Sequence, residues 1–178
     1  MESAAKIKET LQAASTEKLP EFIAEYETDP RSGVQKLVAS ARKKLDALEK
    51  EKQRIENLKK YEREYAQYSY ICGIDEVGRG PLAGPVVAGA VILPKDCHIL
   101  YINDSKQLSE KKREELYDVI TREAVAWAVG YASPKRIDEI NILQATYEAM
   151  REAIGKLTPA PDLLLNDAVT IPGVNIRQ

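Results

Sequence analysis

The sequence predicts an α/β domain, a mixed sheet flanked by helices, preceded by an all-helical N-terminal extension. Three observations predict it. Only Gly33 precedes Tyr70, and the other eight glycines follow it. Before that break, apolar residues recur at steps of three and four, the period of a helix with one buried face. After it, short Val-, Ile- and Leu-rich runs alternate with longer amphipathic stretches, as strands and helices sharing a sheet do. The expected division is an extension over 1–69 and a domain over 70–178.

Within the extension, Glu2–Ala14 and Leu19–Tyr26 each read as a short helix. Asp29-Pro30 ends the second, because the residue before proline is pushed out of helical geometry. A single long helix is expected from Val34 to about Ala66. Its apolar positions Val34, Val38, Ala41, Leu45, Leu48, Ile55 and Leu58 form one seam, broken at Lys52. The break disfavours a long coiled coil and favours a helix leaning on a partner surface.

In the domain, Tyr70–Ile74 reads as a first strand and Pro85–Leu93 as a second. Ser109 is the expected N-cap of a helix reaching about Ala124. Val125–Tyr131 reads as a third strand, Asn141–Leu157 as a helix stopped by Pro159 and Pro161, and Leu163–Asn166 as a fourth strand. The first three strands suggest an antiparallel meander. The helical crossover into the fourth suggests a parallel strand beside one of them. Trp127 is expected in the core or at an interface.

Composition narrows the function. Lys and Arg number 26 against 28 Asp and Glu, a net charge of −2. A polyanion-coating protein would be far more basic, so any contact with nucleic acid must be local and shaped. No apolar run approaches the roughly 18 residues that span a bilayer. Met1–Lys8 lacks the apolar centre of a secretory leader. Cys72 and Cys97 are the two cysteines, without a Cys-x-x-Cys spacing, which argues against a disulfide scaffold or zinc finger. His98 is the single histidine, so a His-rich metal site is excluded. A cytoplasmic protein with no membrane partner is expected.

The chemistry concentrates in Gly73–Pro85. Asp75 and Glu76 end an apolar run, where adjacent like charges repel and burial is costly. A divalent cation relieves both, and hard ions such as Mg²⁺ and Mn²⁺ prefer carboxylate oxygens. A solvent-facing turn with two spare acids is the alternative. Gly78, Gly80 and Gly84 permit close backbone approach, and Arg79 adds a planar guanidinium suited to phosphate. No Gly-Lys-Ser/Thr follows, so this is not a Walker loop. A purely structural turn remains the other reading of these glycines.

The run IDEVGRGPLAGPVVAGAVIL from Ile74 to Leu93 resembles the opening motif of bacterial ribonuclease HII. Asp104-Ser105-Lys106 with Leu108-Ser109, Ile137–Ile142 and Leu164–Ala168 resemble later segments of that family. Arg79 favours type HII over its sister HIII, which has another residue there. The resemblance implies a ribonuclease H-like fold and Mn²⁺ or Mg²⁺ held by Asp75, Glu76 and Asp167. It implies that Gly78, Arg79 and Gly80 sense a ribose 2′-hydroxyl, and that Ser105 and Lys106 lie near the substrate backbone. Lys106 also reads as a solvated surface lysine. The implied partner is an RNA–DNA hybrid or duplex DNA containing ribonucleotides; no protein partner is indicated.

Two departures from the pattern stand out. The family carries a further aspartate and a C-terminal helical region with a tyrosine beyond the Asp167 match, and this chain ends at Gln178. Asn166 also stands where the family has an apolar residue. The implied activity is endonucleolytic hydrolysis of the RNA strand by metal-activated water, leaving 3′-hydroxyl and 5′-phosphate ends. The rival reading is a truncated, catalytically impaired nucleic-acid-binding remnant of the same fold. A third makes the extension a partner-binding module.

Overall fold

The computed structural model describes residues 2–80, 83–167 and 169–178. The chain divides into two compact units, Met1–Leu58 and Lys59–Gln178.

The first unit holds α1 (Ala4–Ala13), α2 (Leu19–Tyr26) and α3 (Ser32–Leu58). Ser3 caps α1 by accepting the Lys6 amide at 3.3 Å. Ile7 and Leu11 from α1, Phe22 and Tyr26 from α2, and Val34, Val38 and Ala41 from α3 form one buried cluster. The α2–α3 turn is locked by Asp29, whose Oδ1 accepts the Arg31 amide at 2.9 Å and whose Oδ2 accepts the Arg31 guanidinium at 2.5 Å. Gln35 donates to the carbonyls of Glu27 and Asp29 at 3.0 and 2.6 Å.

Arg31 holds the Asp29 carboxyl at about 2, below its ordinary 3.8. The depressed value means that the folded state prefers the carboxylate. That contribution is complete above the unfolded value and is lost as pH falls through about 2. Thermal melts from pH 5 downward should therefore show Asp29→Asn less stable than the parent at pH 5. The gap should close between about pH 4 and pH 2. A gap that stays constant to pH 2 would mean that this pair does not supply the acid step.

The second unit begins with α4 (Lys60–Glu64) and continues through β1 (Ile71–Val77), β2 (Val86–Ile92), α5 (Glu110–Glu123), β3 (Ala126–Ala132), α6 (Pro134–Ile140), α7 (Ile142–Gly155) and β4 (Leu163–Asn166). The long helix thus ends at Leu58 rather than near Ala66, because Lys59 leaves helical geometry (φ −75°, ψ 21°). The residues that follow are held by this unit. Lys59 Nζ lies 3.1 Å from His98 Nδ1, and Lys95 donates to the Ala66 carbonyl at 2.8 Å. Asp162 accepts the amides of Ser69 and Tyr70 at 2.7 and 2.8 Å. Arg177 donates to the Tyr68 hydroxyl at 2.9 Å and lies over the Tyr65 and Tyr68 rings. The structural division therefore falls earlier than the change of composition at residue 70.

The sheet order is β3-β2-β1-β4. β1–β2 and β2–β3 pair antiparallel, and β1–β4 pairs parallel, so meander and crossover are as expected. α7 lays Ala145, Ala149, Met150 and Ala153 against Cys72, Ile74, Ala88, Ala90 and Ala132 on one face of the sheet. Gly130 lets the helix come close: a Cβ there would lie 1.8 Å from the Ala149 carbonyl oxygen.

Ser109 caps α5 as expected, accepting the Lys112 amide at 3.3 Å. α6 lies in a stretch for which no element is expected, although Ser133-Pro134 is a start signal: the serine caps and the proline sits in the first turn. Asn141, at φ +69°, ends α6 and caps α7 through the amides of Leu143 and Gln144. Trp127 is not in the core. It is 42% exposed on the sheet face away from α7, with its ring edge-on to Tyr117 at 6.1 Å. No helix among the described residues is long and apolar enough to cross a membrane.

Candidate active site

β1 extends three residues past Ile74, so Asp75 and Glu76 lie within the strand rather than beyond its end. Consecutive strand residues face opposite ways. Asp75 is exposed on the face away from α7, and Glu76 is half-buried on the face that carries Cys72 and Ile74. Asp75 Oδ1 accepts the Glu76 amide at 2.8 Å. Its antiparallel partner is Gly89, which sets no side chain beside the carboxylate.

Parallel pairing sets Ile74 against Asn166. One residue further on come Asp75, inside β1, and Asp167, just past the end of β4, two exposed carboxylates on neighbouring segments whose strands run about 4.8 Å apart. Asn166 braces the turn that follows: its amide donates to the Val169 carbonyl, and Gln178 Oε1 accepts the Ile171 amide at 2.7 Å. A polar residue in place of an apolar one therefore ties the loop after Asp167 back onto the strand.

Beyond β1 the chain turns through Gly78, at φ +97°, where a Cβ would lie 2.2 Å from the Pro85 carbonyl oxygen. Gly84 is also in the left-handed range, at φ +136°. Gly80 has open space around it and needs no glycine on steric grounds. Arg79 donates to Glu76 Oε1 at 2.9 Å, so the guanidinium and this carboxylate are paired. Pro81 and Leu82 of the motif, and Ala168 of the later segment, lie outside the described residues.

Ser105 and Lys106 sit on a single 3₁₀ turn, Ser105–Gln107, both exposed. Asp104 caps that turn, its Oδ1 accepting the Lys106 amide at 2.9 Å. Arg113 from α5 donates to the Leu108 carbonyl at 2.7 Å. Sequence reasoning misses both supporting roles. An Asx-turn signal at Asp104 is available to it, whereas nothing local marks Arg113 as a clamp.

The donor set of Asp75, Glu76 and Asp167 is all carboxylate oxygen, which suits a hard divalent ion. Asp75 and Asp167 each follow a residue of the last β1–β4 pair, and Glu76 is engaged by Arg79. Among the described residues, no three His, Cys, Asp or Glu side chains form a group that could hold a metal ion. The fit is one of donor chemistry and strand register.

The family model described as ribonuclease HII matches residues 72–177, more than half of the chain. The chain belongs to the ribonuclease HII family. A model for the ribonuclease HII N-terminal domain matches residues 3–66. The chain is 65% identical over 153 residues to ribonuclease HII of Lachnoclostridium phytofermentans, covering 86% of this chain and 60% of that protein. It is 50% identical over 178 residues to ribonuclease HII of Clostridioides difficile, covering 99% of this chain and 70% of that one. It thus spans about three-fifths to seven-tenths of the lengths of these ribonuclease HII relatives. The crystal structure of the ribonuclease H2 from Pyrococcus horikoshii OT3 superposes with a TM-score of 0.48 at 27% identity, covering 57% of this chain and 52% of that one.

Proposed function

We propose that this chain provides the metal- and ribose-recognising part of an endoribonuclease. The enzyme would hydrolyse the RNA strand of RNA–DNA hybrids and cut 5′ of ribonucleotides embedded in duplex DNA, leaving 3′-hydroxyl and 5′-phosphate ends. The observation that supports it most directly is the parallel register of Ile74 with Asn166, which leaves Asp75 and Asp167 as the next residue of each segment, with Glu76, the partner of Arg79, following Asp75. Membership of the ribonuclease HII family supports the substrate class. We place the enzyme in the cytoplasm, where such duplexes form in a bacterium.

Asp75, Glu76 and Asp167 would hold Mn²⁺ or Mg²⁺. When bound, the ion supplies an activated water and charge stabilisation at the leaving oxygen. The chain's own residues bind and orient. Gly78 brings backbone close to a sugar, and a ribose hydroxyl that both donates and accepts distinguishes RNA from DNA there. Arg79 exchanges Glu76 for the neighbouring phosphate, leaving that carboxylate free as a ligand. Gly80 leaves room for the sugar, while the Ser105 hydroxyl and Lys106 ammonium contact the substrate backbone.

The test is gel analysis of a labelled DNA duplex carrying one ribonucleotide, beside the all-DNA duplex, with Mn²⁺, Mg²⁺ or chelator. The Lachnoclostridium enzyme serves as positive control. Cutting 5′ of the ribonucleotide, dependent on metal and absent from all-DNA, is the expected result. Arg79→Ala should slow that cut by about ten- to a hundredfold, the scale of one missing charged hydrogen bond, while metal binding survives. Equal cutting of all-DNA would remove the ribose-sensing role. Binding without cutting, under conditions where the relative cuts, would favour the impaired remnant instead.

A further inference from the structure

Charge in the helical unit is segregated. Residues 1–30 carry three Lys and Arg against seven Asp and Glu, whereas residues 31–58 carry eight against four. Over 31–45 there are five cations and no acid. These residues begin α3, whose buried seam is Val34, Val38 and Ala41.

At 3.6 residues per turn, Lys36, Lys43 and Lys50 fall about 200°, 180° and 160° round the helix from Val34. They stand diametrically opposite the seam, seven residues apart, and all three are exposed. Ala39, Ser40 and Ala47 lie between them on the same face, so the helix surface there is low and the ammonium groups stand proud. Asp46 borders this face. No ion pair among the described residues involves Lys36, Lys43 or Lys50.

A helix face that is merely solvated mixes its signs at three- and four-residue spacing. The later part of α3 does so: Glu49 pairs with Lys52, and Glu51 with Arg54. The lysine face carries one acid, Asp46, three residues after Lys43 and four before Lys50, and among the described residues it forms an ion pair with neither. Lys36 and Lys50 are about 21 Å apart along the axis at 1.5 Å per residue. That matches about six base pairs of a duplex with a phosphate every 3.4 Å per strand.

We propose that the Lys36–Lys43–Lys50 face of α3 docks on the phosphate backbone of duplex nucleic acid. The proposal rests on the reading that the substrate is such a duplex and adds the surface that grips it outside the reacting site. Phosphate contacts position without reading sequence or sugar, so this grip is the same for hybrid and DNA duplexes.

The experiment measures binding of the intact chain to a fluorescent hybrid duplex and to its all-DNA counterpart over a range of salt, with chelator present so that nothing is cut. For K36Q/K43Q/K50Q the slope of log K against log salt should be shallower by about 2.7, at roughly 0.9 for each phosphate no longer neutralised. It should change by a similar amount on both duplexes. K36R/K43R/K50R should keep the parent slope. Circular dichroism checks that α3 persists in each. An unchanged slope in the glutamine variant overturns the proposal, as does an equal change from Lys6, Lys8 and Lys18→Gln, or no binding of either duplex at low salt. Cutting of the ribonucleotide duplex, assayed separately with metal, distinguishes the two failures. An intact slope effect without cutting counts against the nuclease reading alone, and cutting with an unchanged slope counts against this face alone.

Discussion

Asp75→Asn and Asp167→Asn should each lower cleavage of a ribonucleotide-containing duplex by about a thousandfold or more, equivalent to ~4 kcal/mol of transition-state stabilisation. Both side chains are exposed, so neither change opens a cavity. The side-chain hydrogen bond of Asp75 among the described residues is its Oδ1 accepting the Glu76 amide, and an asparagine oxygen can still accept it. Stability should therefore stay within about 0.5 kcal/mol of the parent, the usual range for surface substitutions. What changes is the charge offered to a divalent ion. Calorimetric titration with Mn²⁺ should show weaker binding in both variants. Undiminished cleavage in either would remove that residue from the proposed ligand set. Unchanged Mn²⁺ binding with abolished cleavage would move it from ligand to substrate contact.

Gly130→Ala should be the most damaging single methyl in the second unit. The added Cβ would lie 1.8 Å from the Ala149 oxygen, 2.8 Å from the Ala149 carbonyl carbon and 2.8 Å from the Ala153 nitrogen. All three are backbone atoms of α7, so no side chain can swing aside. The helix must lift from the sheet, loosening Met150 and Ala153 against Ala90 and Ala132. Overpacking a close-packed core costs about 1–3 kcal/mol, and more where backbone has to move. We expect a loss at the upper end of that range or beyond, read as a fall in denaturation midpoint. Gly155→Ala, near the end of the same helix and with nothing within 4 Å, is the control. It should be neutral, or stabilising by up to about 1 kcal/mol from helix propensity. A tolerated Gly130→Ala would mean that α7 is not seated on the sheet as described.

Legibility differs between elements for local reasons. α2, β4 and the cap of α5 are readable to the residue, because proline, a short leucine run and a serine each act within one turn. α6 escapes a periodicity reading because Pro134–Ile140 is short and has no buried residue, so it makes no apolar stripe. The far end of α3 misleads for the opposite reason. No glycine or proline interrupts the chain between Leu58 and Tyr70, but Ala66, Ser69 and Tyr70 are bound by Lys95 and Asp162 from the sheet unit. Trp127 leaves core and interface open from sequence, and its exposure removes the core, because an aromatic at alternating spacing says which face it shares and not whether that face is covered.

The sequence by itself determined the order of the four strands, the helical character of the N-terminal extension and the family resemblance, since motif, cap and period are properties of neighbouring residues. Two matters were decided only by tertiary structure. One is the pairing of β1 with β4, which joins residues some ninety positions apart and sets Ile74 against Asn166, the residues just before Asp75 and Asp167. The other is the partner of Glu76, a half-buried acid that the turn at Gly78 brings to Arg79. Strand register and turn geometry arise from packing α7 on one sheet face, and no local pattern encodes which distant strand completes that packing.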